Sequence, residues 1–184
     1  MTQTLIITGS PSGSSRTAKL AGLIGARLSQ VGVDSSQLDI RGLPAEDLLH
    51  AKVEAPAIAA ALERVATARG VVIATPVYKA AYSGLLKSFL DLLPQFGLRD
   101  KVVLPLATGG TVAHVLAIDY AIRPVLSSLD PLHVVPGFFV LDKQLAVQPD
   151  GSVEIDGELS AKLDLAIRAF INGLRRAAHV IAHG

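Results

Sequence analysis

Three segments of the chain concentrate the residues that could do chemistry. The first, Gly9-Ser10-Pro11-Ser12-Gly13-Ser14-Ser15-Arg16-Thr17, opens straight into a helical pattern. It offers backbone N–H groups, four Ser hydroxyls, one Thr hydroxyl and a guanidinium at a helix N-terminus, the elements of a phosphate site. It is neither a GxxxxGK(S/T) loop nor a GxGxxG turn. A Ser-rich turn with a helix cap, which Ser15 or Thr17 could supply, has the same composition. Its place after the first strand argues for phosphate.

The second segment runs Ala74-Thr75-Pro76-Val77-Tyr78-Lys79-Ala80-Ala81-Tyr82-Ser83-Gly84 and holds two of the chain's three Tyr. Pro76 forces an extended exit from the preceding strand and Ser83 can cap the next helix. An aromatic wall here would receive a planar ligand, although a loop Tyr often only packs on the surface. The third segment is Ala107-Thr108-Gly109-Gly110-Thr111. Paired glycines let a flat ring approach bare N–H groups, and they serve equally well as a strand-to-helix turn.

Other chemistry finds little support. His114 reads as a packed or surface helix residue with no acidic partner nearby in sequence. No GxSxG elbow is present to activate a Ser. His179 and His183 lie four apart, but no third ligand is close to them, so no metal site is expected. With no Cys there is no thiolate nucleophile, disulfide, iron–sulfur cluster or Cys-ligated zinc.

These segments need a scaffold, and the pattern of the chain supplies one. Short β-branched runs at Thr4–Thr8, Ser36–Ile40, Gly70–Thr75, Lys101–Leu106 and His133–Val140 predict five strands. Between and after them, helices are expected near Thr17–Val31, Pro56–Ala68, Ser83–Gln95, Val112–Leu129 and Glu158–Ala178. Strict alternation of this kind predicts a doubly wound α/β sandwich with right-handed crossovers. The three segments follow the first, third and fourth strands, where such sheets bind ligands. Arg41–Glu54 reads as a long loop, and Asp142–Gly157 as a peripheral piece with room for a small hairpin.

The helix containing VAHVLAIDYAIRPVLSSL is apolar on nearly every face, so it should be buried on more than one side. In a single helical layer the second side must meet another subunit. Pro124 cannot donate to the carbonyl four residues back, which predicts a kink or π-bulge just upstream.

Composition narrows the class. The chain has 184 residues, enough for one domain spanning residues 1–184. Half the residues are hydrophobic but only 4% aromatic, which suits Ala/Leu/Val/Ile helices on a buried parallel sheet. Lys and Arg number 17 against 16 Asp and Glu, so no footprint for nucleic acid or an anionic membrane is present. The N-terminal apolar run, Leu5-Ile6-Ile7, lacks a basic flank, so neither a signal peptide nor a membrane span is expected there and the location reads as cytoplasmic. The single sulfur is in Met1. Drift in a GC-rich genome would thin out Cys and Met, and so would synthesis under sulfur scarcity.

In order along the chain, GSPSGSSRT, ATPVYKAAYSGLLKSFLDLLP and KVVLPLATGGTVAH followed by AIDYAIRPVL resemble the NAD(P)H-dependent FMN reductases of the flavodoxin-like superfamily. The likeness is strongest to the reductase partners of two-component alkanesulfonate monooxygenases, and it runs from Thr4 to about Leu129. The resemblance implies a flavodoxin-like fold of strand order 2-1-3-4-5. It assigns Ser10, Ser15, Arg16 and Thr17 to the FMN phosphate. Pro76, Val77, Tyr78 and Lys79 would hold the isoalloxazine edge, and Thr108, Gly109 and Gly110 would lie beneath the ring. Many members carry Arg directly after GSP where this chain has Ser12, which would weaken the hold on a flavin that leaves as product. Tyr120 matches a Tyr inserted into a π-helix at the tetramer interface of the most similar subgroup.

The implied reaction is hydride transfer from NADPH or NADH to FMN, with the cofactor carrying the chemistry and no side chain acting as acid or base. Reduced FMN would pass to a monooxygenase that releases sulfite, a role that gives the sulfur-poor composition a purpose. A methanesulfonate-system reductase is a close variant. A quinone or azo-dye reductase that keeps its FMN is a second reading, and a non-catalytic flavodoxin-like electron carrier a third. Carriers usually dock through acidic faces, and this chain is nearly neutral.

Overall fold

The structure is a computed structural model that describes residues 4–149 and 152–183, the last five by their backbone alone. Met1 and the side chains of His179 and His183 lie outside the described parts.

The sheet is built from β1 (Thr4–Thr8), β2 (Ser35–Asp39), β3 (Gly70–Tyr78), β5 (Val102–Gly109), β6 (His133–Val134) and β7 (Phe138–Leu141), with a two-residue β4 (Ala81–Tyr82) folded back on β3. The order is β2-β1-β3-β5-β6, and β7 continues along the same edge of β5. All pairings are parallel except β3 with β4. Two features depart from the expected 2-1-3-4-5. The β3–β4 hairpin adds a strand inside the expected third loop. The expected fifth strand breaks at Val135-Pro136-Gly137, where Pro136 has no N–H to give a ladder. Gly137 faces β5 there, and a Cβ on it would stand 2.4 Å from Ile118 Cγ2.

Helices cover both faces. Alternate residues of β1 divide between them: Leu5 and Ile7 join one core, Ile6 the other. On one face lie α1 (Arg16–Gln30) and the long α6 (Gly157–His183), through Leu20, Ile24, Leu163 and Phe170. On the other lie α3 (Pro56–Thr67), α4 (Gly84–Leu90) and α5 (Arg123–Ser128), through Ile58, Phe89 and Leu126. Because both faces are covered, β1 is buried at all five residues, and a near-continuous apolar run marks such a strand.

Three expected elements change. Arg41–Glu54 is not an open loop: a 3-10 turn over Ile40–Gly42 leads into α2 (Ala45–Leu49), which buries Leu48. Helix α4 stops at Leu90 rather than Gln95, giving way to turns before Pro94. The expected Val112–Leu129 helix is composite, with a 3-10 turn at Val112–His114, a π-helix at Ile118–Ile122 and then α5. Within it the Arg123 amide reaches back five residues to Ile118 O. Pro124, at the start of α5, cannot bond the carbonyl of Tyr120, so the register widens just ahead of it. In the Asp142–Gly157 region, Ala146–Val147 (β8) pairs antiparallel with Val153–Glu154 (β9).

Candidate active site

Strand order reverses between β1 and β3, since the chain leaves β1 for β2 on one side and returns to β3 on the other. A crevice is expected at the carboxyl ends there. The loop after β1 is tied down on both sides of it. The Gly9 amide donates to Ala74 O at 2.8 Å. The Ser83 hydroxyl donates to Gly9 O while accepting from Leu86 N at 3.1 Å, so the cap of α4 also anchors the loop. Gly9 has to be glycine, because a Cβ would lie 2.6 Å from Leu86 Cβ.

Within the loop, the buried Ser10 hydroxyl donates to Ser12 O (3.1 Å) and accepts from Ser12 N (3.3 Å). Ser15 caps α1 by accepting from Ala18 N at 3.1 Å. The amides of Gly13, Ser14, Arg16 and Thr17 have no protein partner among the described residues. They gather at the positive end of a 15-residue helix with no acidic side chain in its first turn.

The end of β3 is held by Thr75, whose hydroxyl donates to Pro76 O (2.9 Å) and accepts from Ser83 N (3.1 Å). Lys79 (φ 49°) and Ala80 (φ 65°) then form a two-residue turn in the left-handed region, and Tyr78 pairs with Ala81 across it. This turn lifts Tyr78 to the rim, where it is 52% exposed. At the end of β5, Thr108 Oγ1 meets Thr17 Oγ1 at 2.6 Å, both side chains being buried. Gly110 is open enough that a Cβ on it would have Asp142 Oδ2 as its nearest neighbour, at 3.9 Å.

These ends enclose a cleft of about 180 Å³ lined by Ser15, Arg16, Thr17, Pro76, Val77, Tyr78, Thr108, Gly109, Gly110 and Asp142. Nine of the eleven residues expected at a cofactor site therefore meet in one place. Ser10 and Lys79 do not line it: the first shapes the loop from behind and the second sits at the turn tip. A larger hollow of about 580 Å³ lies between α1 and β2. It involves Asp34, Ser35 and Ser36 at the amino end of β2, away from the carboxyl ends of the strands.

Two residues at this end of the sheet escape the sequence reading. Asp142 lines the cleft from the end of β7. Arg41 lies against Gly13, where a Cβ would stand 2.4 Å from its Nη2. A search extended to the loops after the second and last strands would have found both. His114 packs beside Gly109, and its Nδ1 is buried with no partner among the described residues. No cluster of three or more metal-ligating side chains occurs among the described residues.

The sequence and the fold have known counterparts. Residues 2–146 match the NADPH-dependent FMN reductase family. The chain belongs to that family. It is 42% identical over 172 residues to an FMN reductase (NADPH) of Escherichia coli K12, covering 94% of this chain and 90% of the relative. It is 41% identical over 179 residues to an FMN reductase (NADPH) of Pseudomonas putida KT2440, covering 97% and 91%. The crystal structure of an apo NADH:FMN oxidoreductase superposes with a TM-score of 0.82 at 40% identity, over 92% of this chain and 88% of that one. The fold is flavodoxin-like with a parallel sheet, and the chain is an oxidoreductase of the FMN reductase type that works with FMN and NAD(P)H.

The residues present fit that pairing. Free amides and hydroxyls at the start of α1 suit a phosphate, and the Gly109-Gly110 floor faced by Tyr78 leaves room for a flat ring.

Proposed function

We propose that this chain reduces FMN with NADPH and releases the reduced flavin as a product for a flavin-dependent sulfonate monooxygenase. The observation that carries the reading is the convergence of the β1, β3 and β5 ends on one cleft with a phosphate end and a ring end. When bound, the flavin accepts a hydride from the nicotinamide, and the protein's share of the work is placement.

Ser15, Arg16 and Thr17 hold the phosphate, with the free amides of the loop around it. Pro76, Val77 and Tyr78 set the edge of the ring and keep bulk water from that side. Thr108, Gly109 and Gly110 form the floor, where a backbone without side chains lets the ring lie close. Ser10 and Lys79 act at one remove, by shaping the loop and the turn. No side chain is needed as acid or base, so single substitutions lower activity by degrees.

The chain works as a homotetramer joined through the π-helix and its flanks. Supporting this, Val112, Val115, Leu116 and Tyr120 are exposed by 47% to 79%, while Ala117, Ile118 and Ile122 on the same segment are buried. Large apolar side chains displayed together in this way call for a partner surface. The sulfonate role draws support from the sulfur-poor composition, and the reading takes the enzyme to act in the cytoplasm.

The test is the loss of NADPH absorbance on mixing with purified protein, with and without added FMN. A rate that saturates with FMN and falls when NADH replaces NADPH is expected. Tight flavin binding without turnover would move the protein to the electron carriers. Sulfite release from an alkanesulfonate in a coupled assay tests the partner.

A further inference from the structure

The loop between β1 and α1 carries no basic side chain, and Arg16 supplies one at the first residue of α1. A second guanidinium reaches it from another part of the chain. Strand β2 lies beside β1, and the 3-10 turn after it turns Arg41 back over the loop. A Cβ on Gly13 would stand 2.4 Å from Arg41 Nη2 and 2.7 Å from Cζ, so the guanidinium occupies the space a side chain there would need. Its Nε faces Asp39 Oδ2 at 3.7 Å, and Asp39 accepts a hydrogen bond from the Thr8 hydroxyl at the end of β1. The two Nη groups donate to nothing among the described residues, and the side chain is 45% exposed.

We propose that Arg41 clamps the 5′-phosphate of the flavin, so that it is a determinant of selectivity for FMN over riboflavin. This rests on the FMN reductase reading above. Asp39 sits beside Nε as an ion pair at 3.7 Å, the guanidinium packs on Gly13 through Nη2, Cζ and Nε, and both Nη groups keep free donors at the loop. Paired guanidinium donors of this kind match two oxygens of a phosphate. The free amides of Gly13 and Ser14 lie on the stretch of loop that Arg41 packs against, next to the Ser15-Arg16-Thr17 end of the cleft. Gly13 is glycine to admit the guanidinium. Ser12 brings no charge, and Arg41 brings it from the 3-10 turn after β2.

A phosphate monoester also occurs on the adenosine ribose of NADPH, and the experiment separates the two. FMN and riboflavin are titrated against the wild-type protein by flavin fluorescence, then against Arg41→Ala and the double variant Ser12→Arg/Arg41→Ala, with thermal unfolding as a check of folding. In Arg41→Ala the FMN Kd rises about tenfold or more while the riboflavin Kd stays within about twofold. The double variant recovers most of the FMN affinity, because it returns a guanidinium to the loop without the Asp39 contact.

Equal weakening of both flavins, or no change in either, overturns the proposal. So does intact FMN binding accompanied by a rise in KM for NADPH alone, which would assign Arg41 to the nucleotide. A wild-type chain that binds neither flavin overturns the reading of the site, and this inference with it. Wild-type FMN binding that Arg41→Ala leaves intact removes the inference alone.

Discussion

The hydroxyls of Thr17 and Thr108, 91 positions apart in the chain, meet at 2.6 Å. One stands in the first turn of α1 and the other near the end of β5, so the bond joins the phosphate end of the cleft to its floor. Both side chains are buried, at 1% and 2% exposure. The bond therefore sets the spacing between the parts that must hold the two ends of one ligand.

Replacing either Thr with Val leaves the other hydroxyl buried without this partner, at a cost of about 1–3 kcal/mol of stability. The double variant Thr17→Val/Thr108→Val should be less destabilised than the sum of the singles, since neither hydroxyl is then orphaned. Chemical denaturation of the four proteins measures the coupling directly.

Tyr78 makes a contrasting prediction, because half of its surface is exposed at the rim. Tyr78→Ala should change stability by less than about 0.5 kcal/mol, as for other surface positions. Its effect should fall on the ligand, weakening FMN by about tenfold, the range expected for one aromatic contact. An unchanged FMN Kd would remove Tyr78 from the flavin site.

How far the sequence reveals such a site depends on whether a residue's partner follows from chain order. The segments after β1, β3 and β5 are legible because open parallel sheets place ligands at strand carboxyl ends. The π-helix is legible in part, since Pro124 removes a donor whose effect falls a fixed distance upstream. The Lys79-Ala80 turn is not, because neither residue is the Asn or Gly that normally marks left-handed backbone. Arg41 is hidden for another reason. Its neighbour Gly13 lies 28 positions earlier, and the pairing of β1 with β2 that brings the two together leads into the loop after the second strand, which a reading confined to the first, third and fourth strand ends passes over. The break at Pro136 depends on the same kind of knowledge: an X-Pro-Gly run within a strand pattern reads as a continuous edge until its packing on Ile118 is seen.

Lys101 gives a pH-dependent prediction away from the cleft. Its ammonium is buried and donates to Ala66 O (2.8 Å) and Ala68 O (2.9 Å) at the end of α3. Burial lowers its pKa below the ordinary 10.5. The unfolded chain therefore keeps this proton to a higher pH than the folded chain does, and stability rises with pH through the window below 10.5. Lys101→Met strands both carbonyls and should cost about 1–2 kcal/mol at neutral pH. It also removes that rise, so the gap between wild type and variant should widen as pH climbs toward 10.5. Urea unfolding across the alkaline range follows both effects.

Tyr120 is 79% exposed on the single chain, yet it occupies the one stretch of π-helix among the described residues. A π-turn holds one residue more than an α-turn, so deleting Tyr120 lets Arg123 take an ordinary four-residue bond and returns the segment to α-helix. The bulge that carries Tyr120 outward, on the same segment as the exposed Val115 and Leu116, would then be gone. The deletion should therefore alter the association of subunits, measured by sedimentation, and flavin exchange at the neighbouring Gly109-Gly110 floor should change with it. Tyr120→Ala keeps the residue count and hence the π-turn, so it should weaken association through lost contact area alone. A deletion variant with the wild-type sedimentation profile and flavin exchange rate would refute the interface role of this segment.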